Sequence, residues 1–149
     1  AYAEAWFAPH AGLVATLRAE MESRIQPDDD SVPYRKGAWW YRSRVQAGEQ
    51  YPRLVRSHAA GSERRFDPAA AEELLLDLNA EAAGGAFLSL GAAAVSRDAS
   101  RLAYTLDRTG GRDYVLSVRE LASGATLAWS LPEVASIAWG ADRLTLFAV

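Results

Sequence analysis

The feature that most narrows the folds open to this chain is a series of short strand-like segments, separated by Gly-containing turns and repeating at a fixed interval. After Ser31-Val32-Pro33-Tyr34 the sequence turns to aromatic and β-branched runs. Strands are expected near 37–45, 50–57 and 73–78, then 92–96, 101–107, 113–121, 126–131, 136–140 and 143–149. Arg101-Leu102-Ala103-Tyr104 follows Ala94-Val95-Ser96-Arg97-Asp98 just as Arg143-Leu144-Thr145-Leu146-Phe147 follows Ile137-Ala138-Trp139-Gly140-Ala141-Asp142, an offset of 143 − 101 = 42 residues. Tyr41 and Tyr51 bracket a hairpin through Gly48, while Tyr104 and Tyr114 bracket one through Gly111, and both pairs are 10 apart.

A small four-stranded sheet cannot bury both of its faces alone, so it must stack on neighbours. A period of about 40 to 45 residues with four strands per unit is what a β-propeller blade requires. The expected fold is mainly β: a partial β-propeller, about two blades and the start of a third, preceded by an amphipathic helix. One blade is complete at 92–131, with Ala122-Ser123-Gly124 turning between its third and fourth strands. A β-sandwich with coincidental similarity is the competing architecture.

Ahead of the strands, Leu13, Val14, Leu17, Met21 and Ile25 recur at helical steps, and Arg18, Glu20, Glu22 and Arg24 lie mostly off that stripe. Pro9 separates this helix from a short one carrying Trp6, and Pro27 with Asp28-Asp29-Asp30 ends it in an acidic loop. Residues 57–68 form a polar, Arg-containing connection, and 78–85 hold one helical turn. The division expected is a helical lead-in over 1–33 and blades over 34–149.

With 149 residues, half of them hydrophobic, the chain can bury one core of ordinary domain size. The absence of cysteine excludes disulfides, thiolate zinc sites and cysteine nucleophiles. A net charge of −3 and a pI near 5.4 give no whole-chain reason to expect nucleic acid or an anionic membrane. The longest uncharged stretch, 82–96, is shorter than the about 20 apolar residues a bilayer requires, so no membrane span is expected. The start lacks an initiator Met and a secretory signal, and the end reads as a strand with no following turn, so both termini are expected to be cut.

No residue qualifies as catalytic, cofactor-binding or metal-ligating. Ser62 and Ser89 lack the Gly-x-Ser-x-Gly setting of a hydrolase nucleophile, and His10 and His58 read as surface residues rather than bases. Asp28-Asp29-Asp30 lacks the alternate spacing and central Gly of a calcium loop, which makes it a solvated turn. Gly84-Gly85 and Gly110-Gly111 lack the Lys-Ser/Thr of a phosphate loop and read as turn glycines. Arg35, Lys36, Trp39, Trp40, Tyr41, Arg42, Arg44, Tyr51, Arg53 and Arg56 form a basic and aromatic stretch able in principle to hold single-stranded nucleic acid. Strand alternation, with Trp40, Arg42 and Arg44 on one face and Trp39, Tyr41 and Val45 on the other, accounts for that stretch as a half-buried hairpin, so no nucleic acid partner is expected.

Several pieces in order resemble one family: Tyr2-Ala3-Glu4-Ala5, Glu20-Met21-Glu22-Ser23-Arg24-Ile25, Ser31-Val32-Pro33-Tyr34-Arg35-Lys36-Gly37, Trp40-Tyr41-Arg42-Ser43-Arg44, Gly48-Glu49-Gln50-Tyr51-Pro52, Leu75-Leu76-Asp77-Leu78-Asn79, Ala94-Val95-Ser96-Arg97-Asp98 and Leu102-Ala103-Tyr104-Thr105-Leu106-Asp107. Together they resemble the oligopeptidase B (protease II) branch of the prolyl oligopeptidase family of serine peptidases. The resemblance implies the N-terminal side of an enzyme whose propeller covers an α/β-hydrolase domain, and cleavage of short peptides after Arg or Lys. Its partners would be such basic-residue-containing peptides and the absent C-terminal α/β-hydrolase domain, on which the lead-in helix would pack. No cofactor is implied. The compartment expected is cytoplasmic, with the periplasm left open. No position here matches the family's Ser, Asp and His, so this stretch alone is expected to be inactive. A non-catalytic propeller acting as a binding scaffold is the alternative; a hydrolase signature downstream separates the two.

Overall fold

The structure, a computed structural model, describes residues 2–60, 65–85, 87–142 and 144–149. Helix α1 (Tyr2–Phe7) runs through a 3-10 turn (Ala8–His10, with Pro9 in its first turn) into α2 (Ala11–Ser23). Arg18 to Glu22 at 2.7 Å and Arg24 to Glu20 pair one turn apart along α2. The apolar stripe Leu13, Val14, Leu17, Met21 with Ile25 is exposed along its whole length, as are Trp6 and Phe7. Neither α1 nor α2 buries a residue among the described residues.

The first sheet holds β1 (Asp29–Asp30), β2 (Tyr34–Lys36), β3 (Trp39–Val45), β4 (Arg53–His58) and β5 (Glu72–Asp77). β1 and β2 share one edge of β3, and β4 and β5 follow on the other, all antiparallel. Asp29 and Asp30 of the acidic run are therefore a paired strand rather than a free loop: Asp30 lies opposite Arg44 and its carboxylate meets Arg42 and Arg44. At the end of β5 the Asp77 side chain accepts from the backbone N–H groups of Asn79 and Ala80, starting the short helix α3 (Leu78–Ala82).

The second sheet is β6 (Ser89–Val95), β7 (Arg101–Asp107) and β8 (Val115–Glu120). Its outermost segment meets β8 through isolated bridges at Leu116↔Leu131 and Arg119↔Thr126 and through the Leu127 N–H, which donates to the Val118 carbonyl at 2.8 Å. Those bridges enclose 119 − 116 = 3 steps on β8 but 131 − 126 = 5 on its partner, so the expected strand at 126–131 bows away from the ladder. β6 begins earlier than expected, at Ser89, and its register to β7 breaks between Leu90 and Ala93. There the Ala92 N–H donates to the Thr105 hydroxyl at 2.9 Å, and a Cβ on Gly91 would come within 2.6 Å of that hydroxyl. Strands β9 (Ile137–Trp139) and β10 (Leu146–Ala148) begin a third sheet.

The sheets stack face to face. Tyr41, Leu75, Leu76, Leu78, Leu88, Val95, Leu102, Tyr104 and Leu106 are buried together between the first and second. Ala103, Leu116, Val118 and Val134 are buried between the second and the third, against Ile137, Trp139 and Leu146. A closed two-sheet sandwich would have one core; a serial stack with a separate core on each face of the middle sheet is propeller packing.

Candidate functional site

The place where chemistry concentrates in this chain is the interface between stacked sheets. Burial of a side chain with many donors requires partners, and Arg56 on β4 has them all. It is 6% exposed, grips both oxygens of Glu73 at 2.8 Å, stacks 4.0 Å above the Trp39 ring and donates to the Ala99 carbonyl of the second sheet at 2.6 Å. Lys36 reaches the Val95 carbonyl at 2.7 Å, and from the third sheet the Trp139 indole N–H reaches the Ala94 carbonyl at 2.9 Å. Arg119 ties β8 back to the Leu75 carbonyl at 3.3 Å and to Glu81 at 2.9 Å. These four ties span 43, 59, 45 and 44 residues of sequence, so no local pattern announces them.

Between the first two sheets lies a cavity of about 200 Å³ lined mainly by Tyr34, Tyr41, Leu54, Leu75, Leu90 and Leu102. Tyr34 stacks on Tyr41 with ring centroids 5.4 Å apart, and burial pushes both phenols above their ordinary value.

Each hairpin entrance is pinned by an aspartate. The Asp98 carboxylate accepts from the Ser96 hydroxyl at 2.6 Å and from the Ser100 N–H and hydroxyl, which pull it down to about 2. Burial of Asp107 would raise it, but donors from Thr109, Arg112 and Gly110 prevail and hold it below the usual carboxylate range. Asp142 is lowered by the Thr145 hydroxyl, the Thr145 N–H and the Leu144 N–H. Their bonds are spent on turns, which leaves them structural rather than basic groups for a reaction.

The candidates weighed in the sequence stay apart. His10 is exposed beside Trp6, and His58 is exposed with its ring edge on Trp39, 5.1 Å between centroids. Ser89 meets the Tyr114 hydroxyl at 3.5 Å, and Ser62 lies outside the described residues. Asp28 accepts from the Ala47 N–H at 2.9 Å, which spends it on a turn. Gly84 and Gly110 hold positive φ of 81° and 82°, the conformation turn glycines supply. Among the described residues no three His, Cys, Asp or Glu side chains gather as a metal site, and no helix is long and apolar enough to cross a membrane. Four arginines of the basic stretch are engaged by acids: Arg42 and Arg44 by Asp30 and Glu72, Arg53 by Asp77, Arg56 by Glu73. A phosphate backbone would have to displace those carboxylates first.

The whole chain, residues 1–149, matches the family described as prolyl oligopeptidase, N-terminal beta-propeller domain. The chain belongs to the prolyl oligopeptidase family. Within it, this member is 35% identical to dipeptidyl aminopeptidase BI of Pseudoxanthomonas mexicana over all of this chain and 22% of that protein. It is 34% identical to protease 2 of Moraxella lacunata over 76% of this chain and 16% of that protein. Oligopeptidase B from Leishmania major superposes with a TM-score of 0.86 at 28% identity, over 97% of this chain and 20% of that one. Oligopeptidase B from Trypanosoma brucei, in a closed form with covalently bound antipain, gives 0.77 at 26%, over 93% and 19%. The chain thus spans about a fifth of the length of the prolyl oligopeptidase relatives it matches.

Proposed function

We propose that this chain is the opening part of the propeller of a serine peptidase that cleaves short peptides after Arg or Lys. The propeller acts as a lid: rigid stacked sheets cover a hydrolase site and admit short chains while excluding folded proteins. The observation that carries this reading is the serial stack of sheets, tied by Arg56, Lys36 and Trp139, which superposes on oligopeptidase B over 97% of its length. Ties of this kind make a blade pair stiff, which a size filter needs. The exposed stripe Leu13, Val14, Leu17, Met21 and Ile25 supports docking of the lead-in helices onto a hydrolase domain; the boundary expected at 33/34 moves forward, because β1 (Asp29–Asp30) already pairs with β3 in the first sheet. The compartment proposed is the cytoplasm, with the periplasm left open.

The test uses the complete gene product. A serine-directed phosphonate probe should label it, and short peptides with Arg or Lys before the cut should be hydrolysed while folded proteins survive. Equal cleavage of folded and short substrates defeats the lid; indifference to Arg or Lys defeats the specificity. A second reading comes from the relative named dipeptidyl aminopeptidase, whose alignment covers all of this chain: release of dipeptides from a free N-terminus. Blocking the substrate's N-terminus abolishes that activity and spares internal cleavage.

A further inference from the structure

Two irregularities face each other across the first and second sheets. The β4–β5 register shifts between Leu54 and Val55, and the β6–β7 register shifts between Leu90 and Ala93. All four residues line the cavity of about 200 Å³ between these sheets. Ser31, Tyr34 and Ala93 are exposed at its mouth, whereas Leu75, Val95 and Leu102 are buried at its floor. A void with a break in register on each wall is built into two strand pairings, not left by one small side chain.

The mouth lies on the inner edge of the stack. Propeller sheets radiate from a central channel, so their inner strands converge. Among the described residues, the strands of different sheets that run closest are β6 and β9. Lys36 on β2 and Trp139 on β9 both reach carbonyls of β6, at Val95 and Ala94. Tyr34 on β2 and Ala93 on β6 therefore sit on the channel side.

The lining holds no uncommitted charge. Arg42 is its one charged residue, and that guanidinium is spent on Asp30 and Glu72. Ser31 and Ser43 bond each other: the Ser31 N–H donates to the Ser43 carbonyl and the Ser43 N–H to the Ser31 hydroxyl, both at 2.9 Å. With no acid in its lining, the cavity is unsuited to the Arg or Lys before the cut. An apolar cavity of about 150 Å³ stays dry and takes a benzene-sized guest. The Tyr34 and Tyr41 rings, stacked 5.4 Å apart between centroids, give this one an aromatic wall as well.

We infer that this cavity is a subsite on the channel wall for one apolar side chain of the bound peptide, aromatic or branched aliphatic, away from the bond that is cut. The inference rests on the reading that the parent protein is a peptidase acting on short peptides. A side chain buried there holds ground state and transition state equally, because it touches none of the reacting atoms. It therefore lowers KM and leaves kcat as it was.

The experiment uses the complete protein and two probes. The first is 4-fluoroindole, followed by fluorine NMR. The parent should bind it saturably, and Ala93→Trp, which fills the mouth from an exposed position, should bind it at least about tenfold more weakly. Tyr34→Ala opens the mouth instead and should weaken binding about threefold, which keeps the test readable if the tryptophan disturbs β6. The second probe is a set of Ser/Gly-rich peptides with a single Arg, in which one Phe is moved a position at a time. In the parent, Phe at one place, or at two adjoining places, should lower KM about tenfold relative to the Phe-free peptide at equal kcat; in Ala93→Trp that ratio should fall to about one. No saturable indole binding by the parent, or equal binding by parent and both variants, overturns the site. A Phe preference that survives Ala93→Trp, or none beyond the residues flanking Arg, overturns the side chain as its occupant. A parent that binds 4-fluoroindole yet fails the serine-probe and cleavage assays loses the peptidase reading, and with it the occupant but not the cavity.

Discussion

Arg56 on the first sheet donates to the carbonyl of Ala99 on the second at 2.6 Å, and Ala99 sits in a left-handed conformation with φ of 58°. A non-glycine residue in that region is strained, so the tie also steadies a turn that the backbone alone disfavours.

Replacing Arg56 by Met therefore removes a donor to Ala99 and both bonds to Glu73, and should destabilise the intact protein by about 2–3 kcal/mol in urea unfolding. Arg56→Lys should recover less than half, because an ammonium cannot hold Glu73 with two bonds and reach Ala99 as well. Equal stability of the Lys variant and the parent would show that shape rather than the fork matters.

Leu76 is fully buried between the first two sheets, whereas Val32 is 88% exposed. Leu76→Ala should cost about 2–5 kcal/mol through lost burial and the cavity left behind, and Val32→Ala no more than about 0.5. Thermal or urea midpoints of the two variants provide the check.

Gly91→Ala tests the break in β6. Its Cβ would lie 2.6 Å from the Thr105 hydroxyl and 2.7 Å from the Tyr114 ring, so the strand must shift, at about 1–3 kcal/mol. Loss of protection at the Ala92 amide in hydrogen exchange should accompany it.

Asp98 sets an acid limb. Its folded value is about 2 against an ordinary 3.8, so its contribution is complete above pH 3.8 and is lost as pH falls toward about 2. Glu72 and Asp77 work in the same direction: burial pushes each up, but their arginine and backbone donors hold each below its ordinary value. Asp98→Asn should flatten the stability–pH curve across that window and leave the slope above pH 5 unchanged. An unchanged acid limb would remove Asp98 from the account.

The 149 residues on their own should self-associate, because Phe147 and Val149 by the third sheet, Trp129 and Leu131 on the outermost segment of the second, and the α2 stripe are all exposed. Sedimentation velocity over a concentration series reads this directly; a single monomer species throughout would contradict it.

Where the sequence was legible, it was so through local periodicity. Arg101–Asp107 is a strand with the bounds expected, and Gly124 turns with φ of 69° where Ala122-Ser123-Gly124 was read as a turn. Strand β3 keeps Trp39 and Tyr41 toward the core, as alternation requires. Asp29–Asp30 misled because three acids in a row look solvated, and the arginines that make them a strand lie 12 to 14 residues away. The bowed segment 126–131 misled because apolar pattern alone does not count the residues on the facing strand.

By itself the sequence determined the unit: strand period, turn positions and the 42-residue spacing follow from steric and hydrophobic preferences that act over a few neighbours. It also determined what chemistry is missing, since no arrangement of these residues supplies a cysteine. Tertiary structure alone decided which face of each sheet is covered and by what. The arginine stretch that suggested a phosphate-binding surface divided into a buried inter-sheet tie at Arg56 and an ion-paired far face at Arg42 and Arg44. That division depends on partners 12 to 43 residues distant, and charge pairing over such separations is settled by how the sheets stack.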